Sequence, residues 1–329
     1  MLYAVLKKLL FQLNPEAAHG LTLNSLKCLQ KIGMLSFYSK PLLPCHVMGL
    51  HFPNPIGLAA GLDKNGEYID ALAALGFGFI EIGTITRFPQ PGHPKPRLFR
   101  LEKEQALINR FGFNSKGIDY VIQQLKKTQY KGILGINIGK NKETPLEFAL
   151  EDYVYLFRHV APYASYITIN ISSPNTENLR QLQHGEILQH LLQTLKQEQS
   201  AQPRYVPLVV KISPDLTREE LRGMAEILLD TTIDAVIATN TTVARNGISN
   251  PLGEETGGLS GAPLRSKALS LLRELHAIFN NRIPIIASGG LMSAESAQER
   301  WANGAALIQL YTGLIYRGPG LIAESLPGS

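Results

Sequence analysis

Eight short apolar runs, rich in β-branched residues, recur between residues 56 and 311, with helical patterns between them. The runs are 56–59, 79–83, 133–137, 166–171, 206–212, 235–239, 284–288 and 306–311. Near-continuous apolar strands belong to a parallel sheet covered on both faces, because a half-solvated sheet alternates apolar with polar residues. Eight such strands, each leading into a helix, predict an α/β fold that closes as a (β/α)8 TIM barrel. The intervening helices carry start signals: Thr217 followed by Glu220 reads as a capping box, and Ser293 opens another helix. Successive starts lie furthest apart after the second and sixth runs, so insertions belong there. In the first insertion the stretch 97–101, Arg-Leu-Phe-Arg-Leu, alternates as a strand does. Ahead of the barrel, 46–52 with Gly49 reads as a small hairpin able to plug its N-terminal end.

Charged residues make up 18% of the 329, against about 25% in an average chain, as a sheet buried on both faces requires. The net charge is +5, and residues 1–45 hold five lysines (Lys7, Lys8, Lys27, Lys31, Lys40) against Glu16 alone, or +4. A nucleic-acid binder would carry its basic stripe on the folded body, so nucleic acid is not an expected partner. The two cysteines, Cys28 and Cys45, stand in no disulfide or metal-ligand pattern and point to a reducing compartment. No uninterrupted apolar run reaches the roughly 18 residues of a membrane span, and no secretory cleavage pattern opens the chain.

Residues 1–40 therefore form a segment of their own before a catalytic barrel over 41–329. Within 2–13 nine residues are apolar or aromatic, with Leu2, Leu6, Leu9 and Leu13 on one helical face beside Lys7 and Lys8. Asn14 and Pro15 supply the cap and first-turn proline of a second helix running to about residue 32. Two such helices read either as an anchor to an anionic lipid surface or as a lid packed on the barrel.

In a barrel of this kind the site lies at the C-terminal strand ends. Those ends carry Ala60-Gly61-Leu62-Asp63-Lys64, Thr84, Asn137, Asn170 to Asn175, Lys211, Thr239-Asn240-Thr241, Gly289-Gly290 and Tyr311-Thr312-Gly313. No cluster of His, Cys or carboxylates appears, which argues against a metal hydrolase and against paired-carboxylate glycoside chemistry; no metal is expected. Asparagine offers both acceptor and donors and suits a flat, imide-bearing heterocycle. The glycines after strands seven and eight suit a phosphate held by backbone N–H groups. The stretch 256–261, Thr-Gly-Gly-Leu-Ser-Gly, reads as further backbone donors or as a flexible loop. Lys211 ends a buried strand, where a charge is excluded unless an anion or strong acceptor waits for it.

The strings at 57–64 (GLAAGLDK), 109–114 (NRFGFN), 170–176 (NISSPNT), 238–242 (ATNTT) and 256–261 (TGGLSG) resemble dihydroorotate dehydrogenases, in order and across nearly the whole chain. Ser173, with the helical extension, resembles the membrane-associated, quinone-dependent class 2; class 1 has a cysteine base and no extension. The resemblance implies a flavoprotein oxidoreductase of pyrimidine biosynthesis: a peripheral membrane protein on the cytoplasmic face, monomeric, with one FMN per chain. It implies FMN contacts from Ala60, Gly61, Thr84, Asn137, Asn170, Lys211, Thr239, Gly261, Gly290, Tyr311 and Thr312. For dihydroorotate and orotate it implies Lys64, Asn109, Arg110, Phe111, Gly112, Phe113, Asn170, Asn175, Asn240 and Thr241. A quinone tunnel would run between the N-terminal helices past His19 and Arg100 to Tyr311. Ser173 would take the C5 proton of dihydroorotate while hydride leaves C6 for the flavin, with Lys211 stabilising the reduced form. A serine needs help as a base, and Thr176 and the backbone near Phe113 are its nearest candidates by sequence. On this reading the extension serves the quinone step only, and its removal spares flavin reduction. Two other functions use fewer of these features: a non-redox phosphate-binding barrel isomerase or lyase, and a non-catalytic membrane-surface scaffold.

Overall fold

In a computed structural model, which describes residues 2–35 and 41–328, eight parallel strands close on themselves. They are β3 (Ile56–Leu58), β4 (Phe79–Ile85), β7 (Ile133–Ile138), β8 (Tyr166–Asn170), β9 (Leu208–Ile212), β10 (Ala235–Ala238), β12 (Ile285–Ser288) and β13 (Ala305–Leu310), in that order around the barrel. All eight expected strands are present, and where a start moved the cause is local. Pro207 and Pro284 have no N–H to give a ladder, so their strands begin just past them, at Leu208, two residues after the expected start, and at Ile285, one after it. Strand β4 runs past 83, with its register to β7 shifting between Ile82 and Ile85 around Gly83 at φ +107°.

The helices that follow the strands bury their apolar faces on the barrel's outside. Helix α7 (Arg218–Asp230) starts with the expected capping box of Thr217 and Glu220, and α9 (Ala294–Ala302) with one of Ser293 and Ser296.

Side chains pointing into the barrel follow the period of two. At the N-terminal end Phe79, Tyr166, Val209 and Leu307 form an apolar layer, closed from below by Phe52 of the hairpin β1 (Cys45–Val47) and β2 (Leu50–Phe52). The hairpin is the expected plug: the Phe52 and Phe79 rings meet edge to face, with centroids 5.2 Å apart. Gly57 and Gly135 face the rings of Phe79 and Tyr166 so closely that a Cβ at either would overlap them. Two residues further along the same strands, Glu81, Thr168, Lys211 and Gln309 make the next layer polar.

The two insertions meet each other. Strand β5 (Leu98–Leu101) is the one expected over 97–101; it pairs with β6 (Ala106–Asn109), which pairs in turn with β11 (Gly258–Gly261) of the second insertion. The 256–261 stretch is thus largely strand, not a flexible loop. This antiparallel sheet stands at the C-terminal mouth of the barrel.

Helix α1 (Leu2–Phe11) leans on the helix over Thr312–Arg317, and α2 (Pro15–Lys31) on the helix over Ile69–Ala73 and on β5, with Asn14 Oδ1 accepting from Glu16 N at 3.0 Å as cap. The alternatives left open by the sequence divide between two faces of α1. Tyr3 and Lys7 face the barrel, where Tyr3 donates to Ile315 O at 2.6 Å and Lys7 to Tyr316 O at 3.1 Å. Leu6, Leu9 and Leu13 face outward, Leu9 being 59% exposed. Lys7 therefore belongs to the barrel contact and not to the outer face. The expected boundary after residue 40 falls beside 36–40, outside the described residues. Among the described residues, no helix is long and apolar enough to cross a membrane.

Candidate active site

One cavity opens at the C-terminal mouth, where the sequence placed it. Of the residues expected to meet the cofactor, Ala60, Gly61, Thr84, Asn170, Lys211, Thr239, Gly261, Gly290, Tyr311 and Thr312 line it. So do Ser173 and, of the expected substrate residues, Lys64, Asn109, Phe111, Gly112, Phe113, Asn175, Asn240 and Thr241. Asn137 stands one layer behind the wall: its Oδ1 accepts from Thr84 Oγ1 at 2.6 Å and Asn170 Nδ2 at 3.2 Å, and its Nδ2 donates to Glu81 at 2.8 Å. Arg110 turns away from the cavity to pair with Glu255. Neither His19 nor Arg100 is part of the cavity wall, whereas Tyr311, the third expected tunnel residue, is.

The asparagines are held in set orientations. Asn240 donates to Ser172 Oγ at 3.0 Å, and Asn175 Nδ2 donates to Asn109 Oδ1 at 3.1 Å. Tyr153, fully buried, donates to the Asn170 carbonyl at 2.9 Å and fixes the end of β8. Such mutual bonding pre-orients the polar edges that face the cavity.

Two lysines supply the charge. Lys64 donates to Gly61 O at 2.8 Å and lies over the Phe111 ring, 3.9 Å from its centroid. Its shielding from water, reinforced by the like charge of Arg97, pushes its pKa down to about 8. Lys211 is buried at the cavity floor, and burial lowers its pKa while the charge of Glu81 pulls it back up.

Glu81 escaped the sequence reading. It is fully buried inside the barrel and accepts from Asn137 Nδ2 at 2.8 Å, Tyr166 OH at 2.9 Å and Gln309 Nε2 at 2.6 Å. The anion expected opposite Lys211 is therefore in part the protein's own carboxylate, and the signal was one acid inside an apolar run. Gln309 and Ser260 are further wall residues missed; Ser260 Oγ accepts from Thr312 Oγ1 at 2.9 Å.

Ser173 is buried, and its Oγ accepts from the Asn175 backbone N–H at 3.2 Å. Neither of the groups expected to help it is bonded directly to Ser173 here. Thr176 Oγ1 is buried without a partner, and the Phe113 carbonyl accepts from Gln90 at 2.9 Å.

Around the expected tunnel residues, the helix pair reaches the barrel top. Arg100 donates to Phe11 O at 2.9 Å and stacks on the Phe11 ring. His19 is held at a pKa of about 4 by burial, with Lys64 adding to the effect, so it is neutral at pH 7. Tyr311 OH lies 3.4 Å from Gly61 O, which accepts its hydrogen bond.

A sequence model of the family described as dihydroorotate dehydrogenase matches residues 42–326. The chain is 54% identical over 329 residues to a dihydroorotate dehydrogenase (quinone) of Acinetobacter baylyi, covering 98% of each. It is 53% identical to one of Nitrosomonas eutropha, covering 98% of this chain and 96% of that protein. Among solved structures, DHODH of Eimeria tenella in complex with ferulenol superposes with a TM-score of 0.87 at 38% identity, covering 95% of this chain and 89% of the other. With its barrel, its mouth cavity and these likenesses, the chain belongs to the dihydroorotate dehydrogenase family, in its quinone-dependent class.

Proposed function

We propose that the chain oxidises dihydroorotate to orotate with one bound FMN and passes the electrons to a membrane quinone. The observation that carries this reading is the convergence in one cavity of Ser173, two lysines and a ring of amide side chains. The names of the bacterial relatives support the quinone as acceptor.

The residues fit the cofactor. Gly289 and Gly290, at φ +100° and +72°, take a conformation that favours glycine, and with Gly261 and Thr312 they present bare backbone suited to a phosphate. Thr84, Asn170 and Lys211 supply polar partners for a ring bearing alternating N–H and C=O groups, with Asn137 holding the first two from behind. A bound flavin supplies the two-electron acceptor, and a cation such as Lys211 stabilises the charge gained on reduction.

Ser173 takes the proton from carbon. Its Oγ already accepts the Asn175 N–H, which favours negative charge on that oxygen, and as the carbon proton arrives the serine's own hydroxyl proton passes to water in the cavity. Lys64 meets the substrate carboxylate, and Asn109, Asn175, Asn240 and Thr241 read its imide edge, with Phe111, Gly112 and Phe113 closing over it. Arg110 holds this closing segment from outside through Glu255.

The outward face of α1, with Leu21 of α2, lies in the interface of an anionic membrane, on its cytoplasmic side, and the protein works there as a monomer. Quinone enters between the helices toward His19, Arg100 and Tyr311. The residues up to 40 form this membrane segment and the rest forms the barrel.

The test is direct. Purified protein should be yellow, bleach anaerobically on adding dihydroorotate and regain colour with a quinone analogue. Colourless protein that takes up no FMN would refute the reading.

A further inference from the structure

A continuous set of contacts runs from the N-terminal helix pair to the oxygen of Ser173. Glu16, in the first turn of α2, accepts from Arg97 at 2.9 Å (Nη2) and 3.3 Å (Nε). Arg97 is buried, and its Nη1 donates to the carbonyls of Pro91 at 2.6 Å and His93 at 3.1 Å. The His93 ring places Nε2 2.9 Å from the Asn175 carbonyl; a carbonyl only accepts, so that nitrogen carries the proton. Gly112 lies flat on the same ring, where a Cβ would come within 2.5 Å of Cδ2. Asn175 N–H then donates to Ser173 Oγ.

We propose that Arg97 and His93 are positioning residues for the deprotonation step, and that the helix pair, through Glu16, braces the Ser173 loop. The extension then serves both half-reactions, not the quinone step alone. This rests on the reading of Ser173 as the base.

The physical argument concerns the Asn175 backbone. Its N–H aids charge on Ser173 Oγ only while the main chain there is fixed, and the His93 bond to its carbonyl fixes it. The 91–97 segment that carries His93 is gathered by one guanidinium binding two of its carbonyls. That guanidinium is buried, and Glu16 supplies the opposite charge on its fork. Loss of Glu16 leaves a buried cation without its acid, and the segment shifts to hydrate it. Phe111 feels the same charge, with Arg97 5.4 Å from its ring centroid and Lys64 on it at 3.9 Å.

The experiment uses full-length holoenzyme without quinone, mixed anaerobically with saturating dihydroorotate while the flavin absorbance is followed. His93→Phe removes the donor and should slow bleaching about tenfold or more, as expected of a sub-ångström misplacement of the reacting groups. Orotate affinity, read from the flavin spectrum, should stay within about twofold because its own contacts remain. His93→Gln restores an N–H donor and should recover most of the rate. Glu16→Gln, a half-buried position on the extension, should slow the same step about threefold through the loosened brace. It also serves if His93→Phe fails to fold. Wild-type bleaching rates in both His93→Phe and Glu16→Gln, with only the quinone step altered, overturn the proposal. Rate and orotate affinity falling together with no rescue by Gln overturn it as well, since that is general damage. A wild type that takes up flavin yet never bleaches refutes the dihydroorotate reading itself, and near-normal bleaching in Ser173→Ala refutes the base assignment; both are different failures.

Discussion

The two ends of the barrel are built by the same strands and solve opposite problems. At the N-terminal end Phe79, Tyr166, Val209 and Leu307 meet Phe52 in an apolar layer that stabilises by excluding water. Two residues further along, Glu81, Lys211 and Gln309 make the next layer largely polar, and beyond it lies the mouth with Lys64, Ser173 and the asparagines. Burying two opposite charges in that layer costs desolvation that their attraction barely offsets. The difference teaches where this fold spends stability on function: the lower layer holds the strands together, and the upper one holds charges in place for a ligand.

The comparison breaks first at Ser173. Ser173→Ala should lower bleaching of the bound flavin by about a hundredfold or more, the usual worth of a positioned proton acceptor. Flavin content and melting temperature should hold, because the side chain is small and its hydrogen bond is to a neighbouring N–H. Near-normal bleaching would remove Ser173 from the reaction.

Phe52→Ala is the mirror experiment at the other end. Removing a fully buried ring should cost about 3–5 kcal/mol of stability, read by denaturant or thermal unfolding. Bleaching at 25 °C should be unchanged in the folded fraction. If the rate fell as steeply as the stability, the two layers would not be separable.

Lys211→Met tests the boundary between the layers. It removes the cation that faces Glu81 and should make the flavin harder to reduce, by about tenfold in the equilibrium with dihydroorotate, which is 1.4 kcal/mol. An unaltered flavin potential would count against its role at the cavity floor.

How far this was legible in the sequence follows from the same two layers. The lower layer and the outer core were readable because a parallel strand buried on both faces leaves an uninterrupted apolar run, so all eight strands appear where expected. The wall residues at the strand ends were readable because they lie at or just after those runs, whereas Asn109 and Phe111 to Phe113, in the first insertion, were legible only through the family resemblance. The polar layer was hidden: Glu81 sits inside an apolar run, and nothing local marks a lone acid as facing inward toward Lys211. The pairing of β6 with β11 joins Ala106–Asn109 to Gly258–Gly261, a contact between distant segments whose glycine-rich strand has no apolar run to announce it. Lys7 illustrates a third limit. Helical spacing places it beside the apolar face, but only the packing of α1 on Tyr316 decides that its ammonium turns inward.

The finest effect expected at the mouth is a proton, and its sign follows from Lys64. Before ligand binds, withdrawal from water and then the charge of Arg97 hold its pKa at about 8, well below the ordinary 10.5. The carboxylate of orotate favours the charged form, so binding raises that pKa again. Below pH 7 the ammonium is already protonated and Lys64 contributes no pH dependence. Above pH 8 the free site has lost its proton while the bound site keeps it, so binding must take one up, and affinity falls by at most about tenfold per pH unit. Calorimetry of orotate binding to the holoenzyme at pH 8.8, in buffers of different ionisation enthalpy, should therefore show nearly one proton taken up. At pH 6.8 it should show almost none from this group. Lys64→Gln should abolish the difference between the two conditions along with the slope. An uptake that persisted in Lys64→Gln would move the titration to another group and leave Lys64 as wall rather than charge.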